Sequence, residues 1–134
     1  MYFEAENLIE QFESVEINVS IKCEKSTMTC VVGPSGSGKS TVLRLICGLD
    51  RPKKLHPQPV QKIVLDGQDI TNLMPAKRQI GMVFQNHTLF DHLTVAQNVA
   101  YGLISHGMKK KQAVAEASAF LEQFELAGFE NRFP

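Results

Sequence analysis

A chain of 134 residues, 43% hydrophobic and 21% charged, is long enough for one modest domain with its own core and too apolar to stay disordered. Its 14 basic and 14 acidic side chains cancel, which gives no support to a general nucleic-acid or anionic-membrane role. No apolar run approaches the ~18 residues of a membrane span, and the acidic start from Met1 to Glu6 lacks the basic and apolar regions of a secretory signal, so neither insertion nor export is expected. The three cysteines, Cys23, Cys30 and Cys47, show no C-x-x-C spacing. Cys30 and Cys47 lie in apolar runs and are expected to act as small hydrophobes in a reducing cytoplasm.

Taken in order, Tyr2 to Leu8 is a strand candidate with poor alternation. Val15 to Ile21 alternates with apolar residues on the odd positions, as a strand with one solvated face does. Phe12, 21 positions before Gly33, is either a core residue or an exposed aromatic on which a base stacks. Lys25-Ser26-Thr27 reads as a turn, and Met28 to Val32 as a short buried parallel strand.

That strand candidate leads into Gly33-Pro34-Ser35-Gly36-Ser37-Gly38-Lys39-Ser40-Thr41, where Gly33, Gly38, Lys39 and Ser40 fill the pattern G-x-x-x-x-G-K-[ST]. A polyphosphate is densely negative, so a loop that wraps it must turn backbone N–H groups inward, and residues without a Cβ permit this. The positive end of the following helix completes an anion cradle. Lys39 would reach the β- and γ-phosphates and the Ser40 hydroxyl would ligate Mg²⁺. A ligand-free Gly/Ser loop is the plainer alternative. A dinucleotide fingerprint is not met, because it needs glycine or alanine where Thr41 stands.

Thr41 to Leu49 carries apolar residues at helical spacing, with Gly48 placed to stop the helix. Asp50 to Pro59, with three prolines, reads as an irregular surface segment. A strand is expected over Val60 to Leu65, a turn at Asp66-Gly67, and turn-rich chain over Asp69 to Pro75. Ile80 to Phe84 reads as a second buried strand ending at Gln85, where parallel sheets place ligand groups, although an ordinary strand-end polar residue fits equally well. Asn86 to Leu93 is a loop with Leu89 and Phe90 exposed or facing a partner. Thr94 with Gln97 forms a capping box for a helix from Val95 to about Leu103. Lys109 to Phe124 is a helix, with Ala113, Ala117, Phe120, Leu121 and Phe124 at three- and four-residue spacing.

Several of these stretches together resemble one family, the ATP-binding subunits of ABC transporters. Residues 33–41 resemble its Walker A loop and Leu43 to Leu49 the helix after it. Leu65 to Thr71 is similar to a strand–turn of its antiparallel subdomain, Arg78 to Asn86 to the entry of its Q-loop, and Leu89 to Leu103 to the start of its helical subdomain. The Q-loop stretch is most similar to importer ATPases. The resemblance implies an α/β P-loop NTPase (RecA-like) core with an N-terminal antiparallel β subdomain over about 1–85, and the start of a helical subdomain over about 86–134.

It also implies ATP and Mg²⁺ as ligands, held by Gly33, Ser35, Gly36, Ser37, Gly38, Lys39, Ser40 and Thr41. Phe12 would stack on adenine. Gln85 would reach the metal and the attacking water and sense the membrane subunit, with Lys39 and Gln85 serving catalysis and Ser40 and Gln85 the metal. The implied partners are a transmembrane permease subunit and a second ATP-binding subunit, at the cytoplasmic face of the inner membrane. The segment from Lys53 to Lys62 is longer than the family's usual link, and Lys25-Ser26 replaces its Gly-Glu turn. The chain stops where a Leu-Ser-Gly-Gly-Gln signature is expected, so an N-terminal fragment is the expectation. The signature, Walker B carboxylate, catalytic glutamate and switch histidine would lie outside it. A catalytically inactive nucleotide-binding fragment and another P-loop kinase or GTPase stand as the alternatives.

Overall fold

The computed structural model describes residues 1–11, 16–51, 60–86 and 88–134, which divide into two compact units, Met1–Val83 and Phe84–Pro134. Phe12, Val15 and most of the proline-rich segment after Asp50 lie outside the described residues.

The first unit is built on a four-stranded antiparallel sheet, in the order β2-β1-β3-β4, with β1 at Phe3–Gln11, β2 at Glu16–Cys23, β3 at Lys62–Leu65 and β4 at Gln68–Asp69. The poor alternation at its start has a structural cause. The pairing of β1 with β2 passes from Ala5 opposite Ile21 to Leu8 opposite Val19, so β1 spends one residue more than its neighbour. Asn7 takes φ 54 there and gives its N–H to Ser20 Oγ at 3.1 Å. A bulge of this kind moves the following side chains to the other face, and Ala5 and Leu8 thereby join one core. Asp66 and Gly67 both take positive φ between β3 and β4, as the expected two-residue turn requires.

Helix α1, Lys39–Cys47, lies against this sheet. Val42 and Leu45 pack with Ala5, Leu8, Ile17, Ile63 and Ile70, all buried. Gly48 ends the helix with φ 75, and its N–H bonds the Leu45 carbonyl at 3.0 Å, a glycine stop as its place in the sequence predicts.

Two expected buried strands are not formed. Among the described residues, neither 28–32 nor 80–84 joins a ladder, and Met28, Val32 and Val83 are 92%, 87% and 98% exposed. A strand buried on both faces needs neighbours on its edges as well as covers on its faces. The four strands present pair only with one another in one antiparallel sheet, and neither run is hydrogen-bonded to it. Cys30, on the first run, is accordingly exposed and not the small core residue expected, whereas Cys47 at the end of α1 is buried.

The second unit is an α-hairpin, α2 at Val95–Ser105 and α3 at Lys110–Glu122. Thr94 and Gln97 form the expected capping box, the Thr94 hydroxyl accepting from the Gln97 N–H and the Gln97 side chain from the Thr94 N–H. Ala100, Ala113 and Ala117 meet at the helix crossing, flanked by Leu103, Ile104, Met108 and Val114. Phe120 and Phe124, expected on the apolar face, are exposed and stack on each other at 4.9 Å between ring centroids. Asn98 fastens the preceding loop: its Oδ1 accepts the Phe90 N–H at 2.8 Å, and its Nδ2 donates to the carbonyls of Phe90, Leu93 and Thr94. The Val95 and Ala96 N–H groups bond the carbonyls of Arg132 and Glu130 at 2.8 and 3.1 Å.

Candidate phosphate-binding site

The loop is exposed from Gly33 to Ser37 and half-buried at Gly38, and it bends back on itself, with the Ser37 N–H reaching the Pro34 carbonyl at 3.3 Å. Gly36 and Gly38 take φ 80 and 88, in the region that a Cβ disfavours. Space is restricted as well at Gly38, where an added Cβ would run into the Ile17 side chain of β2. Ile17 thus forms the back wall of the loop and ties it to the sheet.

Helix α1 begins at Lys39, immediately after Gly38, with no side chain capping its first turn and no acidic residue within that turn. The first N–H groups of a helix have no partner inside it. Here neither a hydroxyl nor a carboxylate competes for them, and the helix dipole makes that end attractive to anions. The Lys39 ammonium lies over the loop, donating to the carbonyls of Gly33 at 2.9 Å and Pro34 at 2.6 Å. Ser40 is exposed and Thr41 half-buried in the same first turn.

The expected residues thus gather over one short stretch: Gly33, Ser35, Gly36, Ser37, Gly38, Lys39, Ser40 and Thr41 form a continuous loop and first helical turn. Their chemistry suits a triphosphate with its Mg²⁺, because Gly36 and Gly38 free the backbone to turn, the Lys39 cation lies over the loop, and the exposed Ser40 hydroxyl stands in the first helical turn. Gln85 does not sit at the end of a strand as expected; it lies exposed at a bend in the second unit. The strand that would have carried it, 80–84, joins no ladder. Among the described residues no group of three or more His, Cys, Asp or Glu side chains is arranged to hold a metal ion.

Sequence reasoning missed the residue that secures the other end of α1. Arg78 is 6% exposed, and its guanidinium donates to four backbone carbonyls. Nη1 reaches Leu45 at 3.1 Å and Ile46 at 2.7 Å, Nη2 reaches Thr71 at 2.7 Å, and Nε reaches Leu73 at 3.0 Å. Burial pulls its pKa down from the ordinary arginine value and pushes that of the Cys47 thiol up, while the Arg78 charge works against the latter shift. Nothing in the flanking Lys77 and Gln79 marks this arginine as buried, since its partners are main-chain atoms that no side-chain pattern reveals.

A glycine-rich loop that opens an uncapped helix, with a lysine folded over it, defines a phosphate-binding P-loop protein. Residues 17–134 match the family model described as ABC transporter, and the chain belongs to that family. It is 42% identical over 117 residues to the Fe(3+) ions import ATP-binding protein of Brucella abortus (strain 2308), covering 87% of this chain and 31% of the relative. It is 42% identical over 123 residues to the sulfate/thiosulfate import ATP-binding protein of Synechococcus elongatus, covering 92% and 34%. Over 134 residues it is 35% identical to the Fe(3+) ions import ATP-binding protein of Escherichia coli (strain K12), covering 98% and 37%. The chain therefore spans about a third of the length of these curated relatives. Among solved structures it resembles a dimeric ATP-binding cassette in a post-hydrolysis state bound to ADP and Pi, with a TM-score of 0.77 at 28% identity, covering 98% of this chain and 61% of that one. The fold is that of an ABC-type P-loop ATPase with its antiparallel N-terminal sheet.

Proposed function

We propose that this chain is the nucleotide-binding part of an importer-type ABC transporter ATP-binding subunit, which couples ATP binding and hydrolysis to movement of a solute across a membrane. The observation that carries this reading is the first turn of α1: uncapped, free of acids, preceded by a glycine loop and overlaid by Lys39. The unpaired N–H groups of the loop and of the first turn of α1, together with the helix dipole, would hold the β-phosphate region of ATP. Lys39 would exchange its two loop carbonyls for phosphate oxygens, gaining charge-assisted bonds. The Ser40 hydroxyl would ligate Mg²⁺, which when bound neutralises charge on the phosphates. Phe12 would stack on adenine, while Gln85 would position water beside the metal and report to the membrane subunit.

The importer assignment follows the relatives, whose names specify Fe(3+) and sulfate/thiosulfate import. A permease subunit and a second ATP-binding subunit are the proposed partners; the second fits the dimeric state of the structural neighbour. No helix among the described residues is long and apolar enough to cross a membrane. The proposed location is peripheral, on the cytoplasmic face of the inner membrane, reached through the permease.

The test is a Mg–ATP titration of the chain and of Lys39→Ala, with thermal melting as a control. Hydrogen bonds to charged groups contribute about 1.5–3 kcal/mol, so the variant is expected to bind roughly ten- to a hundredfold more weakly at an unchanged melting temperature. Equal affinities would overturn the reading.

A further inference from the structure

The cation buried at the far end of α1 has no acidic partner among the described residues. Every donor of Arg78 that the structure pairs is bonded to a neutral backbone carbonyl, and no ion pair with it is formed there. Burying a charge without a counter-charge is costly, and packing alone would be served better by an apolar side chain of similar volume. What arginine adds is a flat fork of N–H donors reaching several acceptors at once, which lysine cannot match. Two of its acceptors, Leu45 and Ile46, are carbonyls from the last turn of α1, and the first of these also accepts the Gly48 N–H of the helix stop at 3.0 Å. The other two, Thr71 and Leu73, belong to the segment after β4. The fork lies directly against the helix stop: a Cβ on Gly48 would come within 2.5 Å of Nε and 2.7 Å of Cζ.

We propose that Arg78 is a positioning residue for nucleotide phosphate, clamping the C-terminal end of α1 so that the phosphate-facing turn at its other end keeps its place against Ile17. The proposal rests on the ATP-binding reading of the loop. Helix α1 has nine residues and is about 13 Å long. As a short rod it rests on the sheet through Val42 and Leu45, and its ends are fixed by the contact between Gly38 and Ile17 on one side and the fork on the other. A tilt of about 10° about its middle moves the first turn by about 1 Å, beyond the tolerance of roughly 0.5 Å that a preorganised site allows. The positive charge also lies where the helix dipole is negative, so it offsets that end as it holds it.

The experiment compares Mg–ATP and AMP affinities, by competition with a fluorescent ATP analogue, in the chain, Arg78→Met and Arg78→Lys, with thermal melting of each. AMP lacks the β- and γ-phosphates that the cradle would hold, so it reports on the rest of the site. The expected result for Arg78→Met is a loss of ATP affinity of about tenfold or more, with AMP affinity changed little. Arg78→Lys, which keeps the charge but reaches fewer carbonyls, is expected to lie between. If Arg78→Met does not fold, Arg78→Lys carries the same comparison. ATP affinity unchanged in a folded variant, or ATP and AMP affinities falling in equal proportion, overturns the proposal and leaves Arg78 a residue of stability alone. A wild-type chain with no preference for ATP over AMP overturns the ATP reading itself, and this proposal with it.

Discussion

Gly38 is asked for two things at once: a backbone angle of +88° and the absence of any atom where Ile17 lies. Replacing it with alanine imposes both left-handed strain and overpacking, each of order 1–3 kcal/mol. Gly38→Ala is expected to lower the melting temperature of the unit 1–83 by many degrees and to abolish Mg–ATP binding. Trimming the wall in the double variant Ile17→Ala/Gly38→Ala relieves the clash but not the angle. It should regain part of the ATP affinity, although the lost isoleucine lowers stability further. Calorimetric titration and a thermal melt of the single and double variants check this, and a Gly38→Ala chain that binds as the wild type does refutes it. At this scale the sequence was generous about one half of the site. The loop residues announced themselves because their grouping is local: the spacing of glycine, lysine and serine alone places them in one loop and first helical turn. Ile17 and Arg78 act through contacts with residues 21 and 33 positions distant along the chain, and one-dimensional spacing carries no trace of such contacts.

Among the elements, those whose stabilising partners lie within themselves were legible. The helix from Val95 began where Thr94 and Gln97 placed it, because a capping box completes its bonds within one turn. Thr94→Ala is expected to cost the second unit about 1 kcal/mol, seen as a lower melting temperature, with restoration by Thr94→Ser. If alanine melts where threonine does, the cap contributes nothing. The third helix was read in nearly the right place, but it ends at Glu122, so Phe124 falls beyond it, and Phe120 within it is exposed because periodicity locates a stripe and not its width. Strands were read less well, and for a physical reason: a strand's bonds belong to its neighbours. The first strand hid its pattern behind the Asn7 bulge. Residues 28–32 and 80–84 carry the composition of buried strands, but composition cannot supply an edge to pair with.

Across the whole molecule, those two unpaired runs leave apolar side chains in water on a chain with no net charge, a combination that favours self-association. The chain is expected to bind an apolar dye in its native state and to scatter light increasingly with concentration. Met28→Glu combined with Val83→Glu should reduce both effects without lowering the melting temperature, as both side chains are more than nine-tenths exposed. A marked fall in melting temperature would mean that these side chains are packed in solution. The second unit has a different long-range property, which arises from the bonds joining the start of α2 to Glu130 and Arg132. A chain emerging from the ribosome at about 5–20 residues per second completes Val95 some seconds before Arg132 exists. During that interval the Val95 and Ala96 N–H groups lack the Arg132 and Glu130 carbonyls that they bond in the finished structure, so the first turn of α2 gains its last two bonds only after residues 130–132 have been made.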